Sequence, residues 1–275
     1  MSSNSMAGSV VSLWHYPVKS MMGEEIRSTA ITEGGLLGDR AYALIDTETG
    51  KVVSAKNPQK WPNMFHCSSC YLERPQGSNT LPPVRIMLPD GTVADSNQAD
   101  INTILSEALG RSVRLESRVP KTPNLEEYWP DIQELDNRNI VTDEKMPEGT
   151  FFDLAIIHLL TTSTIDELRR LYPQGRFEVR RFRPNIVVNS LPDQPAFAEN
   201  QWVGKTLAIG DNVLLKVTEP CPRCVMTTLA QGDLPDDKGI LRTALQKNNG
   251  HVGIYASVVQ SGTIKCGDEI KLIEN

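Results

Sequence analysis

The sequence predicts a mainly β protein: a β-barrel with a few helices, joined to a smaller β-rich N-terminal unit. Three observations carry this. Short strand-like runs follow one another closely along the 275 residues. Hairpin turns separate them, among them "TETGK" at 47–51 and Pro89-Asp90-Gly91. Only three segments carry helical periodicity. Closely spaced hairpins of this kind close into barrels or stack as sandwiches.

The first runs are "SVVSLWHYPVKS" (9–20), "EIRSTAITEGG" (25–35), "DRAYALIDTETGKVVSA" (39–55) and the hairpin "VRIMLPDGTVADS" (84–96). A helix follows in "NQADINTILSEALGR", with Ile101, Ile104, Leu105, Ala108 and Leu109 on one face and Gly110 as its stop. Residues 117–150 are polar, acidic and broken by proline, which predicts a linker or covering loop. It divides the chain into an N-terminal unit, 1–116, and a second part, 117–275, that holds this segment and the barrel. "TTSTIDELRRLYPQG" predicts a helix with Thr164 and Glu167 as a capping box, and "DDKGILRTALQKNNG" predicts a third. The remaining strands are 176–189, 206–218 and 251–274, so that Arg181 and Arg183 share one strand face, either as an oxyanion site or as a surface face paired with carboxylates.

Composition narrows the classes of function. A chain 39% hydrophobic and 23% charged is a soluble globular protein. Its net charge of −6 gives no general attraction to nucleic acid or anionic lipid, so neither a nucleic-acid polymer nor a membrane is expected as partner. No run approaches the ~18 apolar residues of a membrane helix. The start, "MSSNSMAGSV", has neither the basic nor the apolar region of a secretory signal. Five cysteines, an odd number in a long chain, fit reduced thiols and a cytoplasmic location.

The chemistry gathers in short motifs. "HCSSC" (66–70) and "PCPRC" (220–224) form two CxxC pairs about 150 residues apart, whereas zinc sites space such pairs by roughly 15–20. Neither pair opens a helix in a βαβ unit, as a thioredoxin-like centre would. Cys67, Cys70 and Cys266 read as structural thiols. Arg223 separates Cys221 from Cys224 and can hold an anion, and Thr227 and Thr228 add hydroxyl donors. A thiolate here could serve a soft metal centre or remain a structural or reactive thiol. "RRFRPN" gathers Arg180, Arg181 and Arg183 before Asn185; "YPVKS" ends on Lys19 and Ser20; "GGLLGDR" ends on Arg40. His15 lies near Lys19 and could reach the same pocket, while His158, inside an apolar run, reads as a core histidine. The four tryptophans, 14, 61, 129 and 202, read as packing residues.

Taken in order, these motifs resemble those of MOSC-domain proteins. "LWHYPVKS…GLLGDRAYALID" is similar to their N-terminal β-barrel unit; "FFDLAIIHLLTTSTIDEL", "RFRPNIVV", "EPCPRCVMTT" and "GTIKCGDEIKL" resemble the MOSC domain itself. The pattern is similar to the mitochondrial amidoxime-reducing proteins and their bacterial counterparts. The resemblance implies a molybdenum cofactor, a phosphate-bearing pyranopterin dithiolene whose metal is bound by Cys224. It implies cofactor contacts from Lys19, Ser20, Arg40, Arg183, Asn185, Pro222 and Arg223. It also implies roles for Asp153 and Arg183 in positioning substrate or moving protons. Pyridoxal phosphate binding is also attributed to the family.

The activity so implied is reduction of small N-hydroxylated compounds such as amidoximes, hydroxylamines and N-hydroxylated bases. Electrons would come from a separate donor of flavin reductase, ferredoxin or cytochrome type, because "IKLIEN" is not followed by the cysteine cluster of an iron–sulfur domain. Leu154 and Ala155 stand where those relatives carry hydroxyl residues. Two alternatives remain: a sulfur carrier using a persulfide on Cys224, and a structural zinc protein using both CxxC pairs.

Overall fold

Seven strands close into a barrel because their apolar residues alternate toward one interior. In the computed structural model, which describes residues 4–77, 81–192 and 194–273, these are β1 (Asn4–His15), β2 (Ile157–Thr161), β3 (Ile186–Ser190), β4 (Thr206–Ile209), β5 (Val213–Pro222), β6 (His251–Gln260) and β7 (Glu269–Ile273). They run β3-β2-β6-β5-β4-β7-β1 around the barrel, and β1 closes it by pairing with β3. Only β2 and β3 run parallel. Leu13, Leu159, Ile186, Leu207, Leu215, Ile254 and Ile270 fill the interior, all fully buried. The strand Glu24–Ile26 extends the sheet beyond β1.

The N-terminal half adds smaller sheets around a second core of Val18, Met21, Leu44, Met64, Phe65 and Leu105. The hairpin over 84–96 forms as the sequence predicts, Val84–Met87 pairing with Val93–Asp95. Helix α1 (Ile101–Leu109) ends on Gly110 in the left-handed conformation, φ 65°. Helices α2 (Thr162–Leu171) and α4 (Lys238–Asn248) cover the barrel with a third cluster built on Leu168, Phe177, Phe182 and Ile240.

Three expectations need correction. Residues 117–150 are not merely a covering loop. They contain a hairpin, Asn124–Trp129 against Ile140–Lys145, tied to the preceding sheets by Val52 N–H donating to Asn124 O (2.9 Å) and Tyr128 N–H to Lys56 O (2.8 Å). The cap of α2 is Thr161, whose hydroxyl accepts from Thr164 N–H, and Glu167 pairs with Arg170 on the surface instead. Residues 179–182 form a one-turn helix, α3 (Val179–Phe182), and Arg183 after it is left-handed, so Arg181 and Arg183 share no strand face. Arg181 is fully buried and donates to the carbonyls of Arg176, Thr227, Leu229 and Pro235. It clamps loops together, each guanidinium nitrogen being spent on a backbone carbonyl.

Candidate functional site

Between the barrel end and the N-terminal sheets lies a cavity of about 370 Å³. Lys19, Ser20, Arg40, Asp153, Arg183, Asn185, Pro222, Arg223 and Cys224 all line it. Segments far apart in sequence thus converge, and the backbone is bent to bring them there. Six non-glycine residues among those described have positive φ, and four of them, Ser20, Arg40, Arg183 and Asn249, line this cavity. Such conformations cost energy and concentrate at binding sites. Strand β5 reaches the cavity through Pro220 and Pro222, which cannot donate ladder hydrogen bonds; its register slips there and Cys224 turns inward.

The charges are layered. Lys19 Nζ donates to the Phe151 carbonyl (2.8 Å) and pairs with Asp153. Lys56 pairs with Glu127 (2.9 Å) and lies 3.8 Å from Asp153. Burial opposes ionisation of Asp153, yet Lys19 and Lys56 hold it well below the usual carboxylate range. Burial pulls Lys19 down, with Asp153 opposing. Arg40 pairs with Asp39, and Asn185 in turn donates to Asp39 at 2.9 Å. The guanidiniums of Arg40 and Arg183 both lie over the Tyr16 ring, 4.5 and 4.1 Å from its centroid. Burial, reinforced by Arg40, lowers Arg183 to about 10. Arg223 donates to Cys221 Sγ (2.7 Å) and Phe182 O (2.9 Å), while its Nε is buried without a partner. Burial pushes the Cys224 thiol up to about 11; Lys56 opposes and Glu127 adds to this.

Several side chains stand elsewhere than expected. His15 does not line this cavity; its Nε2 meets Glu24 (2.8 Å) beside a different cavity of about 460 Å³. Thr227 and Thr228 are buried and close the turn after Cys224, donating to Cys224 O (3.0 Å) and Val225 O (2.8 Å). His158 borders the cavity yet behaves as a core histidine, its Nε2 bonded to Val252 O at 3.1 Å and its pKa lowered to about 3, chiefly by burial. Trp129, read as a packing residue, lines the cavity. So do Lys56, Glu127, Glu144 and Tyr255, which sequence reasoning did not single out. All five cysteines are free, and among the described residues no group of three or more His, Cys, Asp or Glu could hold a metal, so the two CxxC pairs do not converge. Among the described residues no helix is long and apolar enough to cross a membrane.

The fold and site define a closed β-barrel whose end presents one thiol among converging cations. Residues 148–271 match the family described as MOSC domain, and residues 7–80 match MOSC N-terminal beta barrel domain. The chain is a member of this family. It is 26% identical to mitochondrial amidoxime reducing component 2 of Bos taurus, over 96% of this chain and 82% of that protein. The human protein of that name is also 26% identical, over 96% of this chain and 83% of its own length. A molybdenum cofactor sulfurase of Oryza sativa subsp. japonica is 24% identical over 78% of this chain, but only 28% of that protein is covered. The solved structure of the YuaD protein from Bacillus subtilis shares the fold, with TM-score 0.50, 13% identity and full coverage of both chains.

Proposed function

We propose that this protein binds a molybdenum cofactor through Cys224 and reduces small N-hydroxylated compounds, such as amidoximes and hydroxylamines, with electrons from a separate donor protein. One observation carries this reading: the only thiol lining the cavity among the described residues, that of Cys224, shares it with Lys19, Arg40, Arg183 and Arg223. Arg40 and Arg183 sit over one ring with Asp39 as the ion-pair partner of Arg40, an arrangement that suits a phosphate-bearing ligand. The donors suit such a ligand. Ser20 Oγ already accepts from Ala55 N–H (3.1 Å), which leaves its own hydrogen to donate outward. Lys19 has a third N–H beyond those given to Phe151 and Asp153, and Arg183 spends Nη1 on Met21 O (2.7 Å). A single soft thiolate matches a metal whose other ligands are sulfur, and metal binding would displace the thiol proton. When bound, the cofactor supplies the two-electron chemistry; the protein orients it and controls protons and water.

The names of the relatives support the same reading. The test is protein made in a cofactor-competent host, analysed for molybdenum and pterin and assayed for amidoxime reduction. Wild type should carry both and be active, and Cys224→Ser should lose metal and activity together. Retention of molybdenum and full rate in that variant would overturn the assignment. Persulfide on Cys224 without metal would instead establish the sulfur-carrier reading.

A further inference from the structure

Reduction of an N-hydroxylated compound consumes protons as well as electrons: RNHOH + 2 e⁻ + 2 H⁺ gives RNH2 + H2O. The N–O bond breaks, one N–H and one O–H bond form, and the donor protein supplies both electrons. If the functional reading above holds, a side chain of the cavity must pass protons to the substrate. Three carboxylates line it: Asp153, Glu127 and Glu144.

They are not equivalent. Asp153 faces two ammonium groups, Lys19 and Lys56, which keep it a carboxylate with no proton to give. Glu144 is half-buried and accepts from the Thr142 hydroxyl at 2.7 Å, which in turn accepts from Trp129 Nε1 at 2.8 Å. Glu127 is 6% exposed and faces one cation, Lys56, whose ammonium donates to Oε2 at 2.9 Å. No donor to its Oε1 is found among the described residues.

We propose that Glu127 is the general acid of this cavity, delivering a proton from Oε1 to the reacting N–O group. Lys56, bonded to Oε2, stabilises the carboxylate left behind. Burial favours the neutral form of Glu127; the charges of Asp153 and Glu144 add to this and Lys56 opposes it. The charged and titratable groups around Glu127 are thus Lys56 from the N-terminal half, Glu144 from the partner strand, Asp153 ahead of β2 and Cys224 after β5. Because the carboxyl titrates above its ordinary range, turnover should fall as pH rises through that raised pKa.

The experiment compares wild type, Glu127→Gln and Glu127→Asp, each with molybdenum and pterin quantified. E127Q should keep its metal and its KM while kcat drops about a hundredfold and loses the alkaline decline; the aspartate variant should recover part of both. Wild-type kcat and pH profile in a metal-replete E127Q would overturn the proposal and leave the reductase reading intact. If E127Q loses its metal, the infrared spectrum decides: a protonated-carboxyl band at the working pH, present in wild type and missing in E127Q, supports the proposal, and its absence from wild type overturns it. A wild type with neither molybdenum nor reductase activity defeats the functional reading, and this proposal with it.

Discussion

His158 shows how a buried polar side chain at the edge of the site binds stability to pH. Its ring is 5% exposed and donates to Val252 O, so it must stay neutral inside the fold. The unfolded chain takes up a proton near pH 6.5, whereas the folded chain resists until about 3. Because the folded pKa is lowered, stability from this group is complete above the unfolded value and is lost as pH falls between the two. At pH 4.5 the loss should reach about 3 kcal/mol. Urea unfolding at pH 7 and pH 4.5 measures it, and His158→Gln, which keeps a donor for Val252 O, should be less sensitive to acid by that amount. An equal acid sensitivity in both proteins would show that the titration lies elsewhere.

The second helix makes a comparable case from its first turn. Thr161 Oγ1 accepts from Thr164 N–H and donates to Glu199, whose carboxylate also takes the Thr164 hydroxyl, each at 2.8 Å. Thr161→Val keeps the volume but removes the cap and one of the two hydroxyl donors to a buried acid, and should cost about 1–2 kcal/mol in denaturant unfolding. A loss within error of zero would mean that Thr164 alone holds this turn. The true cap escaped sequence reasoning because Thr161, Thr162, Ser163 and Thr164 are all capping residues, and Glu167 favoured the wrong one. Barrel strands such as 206–218 were legible because their apolar residues alternate in sequence. The hairpin in 117–150 was not: in "NLEEYW" Glu126 and Glu127 stand among the apolar residues because they face Lys51, Lys56 and Lys60. The segment before Pro184 was misread for a related reason, since arginines in a strand and in a single helical turn look alike without their partners. In the site, Lys19, Arg40, Arg183 and Cys224 were legible because they stand in distinctive motifs. Lys56 and Glu127 have nothing unusual beside them, and only tertiary pairing reveals them.

The cavity joins parts of the fold that have separate cores, and a ligand there should stabilise the whole molecule. Lys19 and Arg40 come from the N-terminal half and Arg183 from the link into β3, while Cys224 packs against the N-terminal core from the end of β5. An anion seated among them relieves repulsion between cations that the fold has gathered from distant segments. Binding only to the folded state stabilises it by RT ln(1 + [L]/Kd), about 2.7 kcal/mol at a hundred times Kd. For a chain of this size that raises Tm by roughly 5–10 °C. Pyrophosphate added to metal-free protein is a suitable probe, since it presents the charge of the cofactor's anionic end without the metal. Phosphate salts also stabilise proteins by exclusion from their surfaces, so the comparison must be with a protein lacking the site. The double variant Arg40→Gln/Arg183→Gln should show only that general effect, and wild type should exceed it by several degrees with a saturable concentration dependence. Equal, unsaturating shifts in the two proteins would mean that the converging cations do not form an anion site.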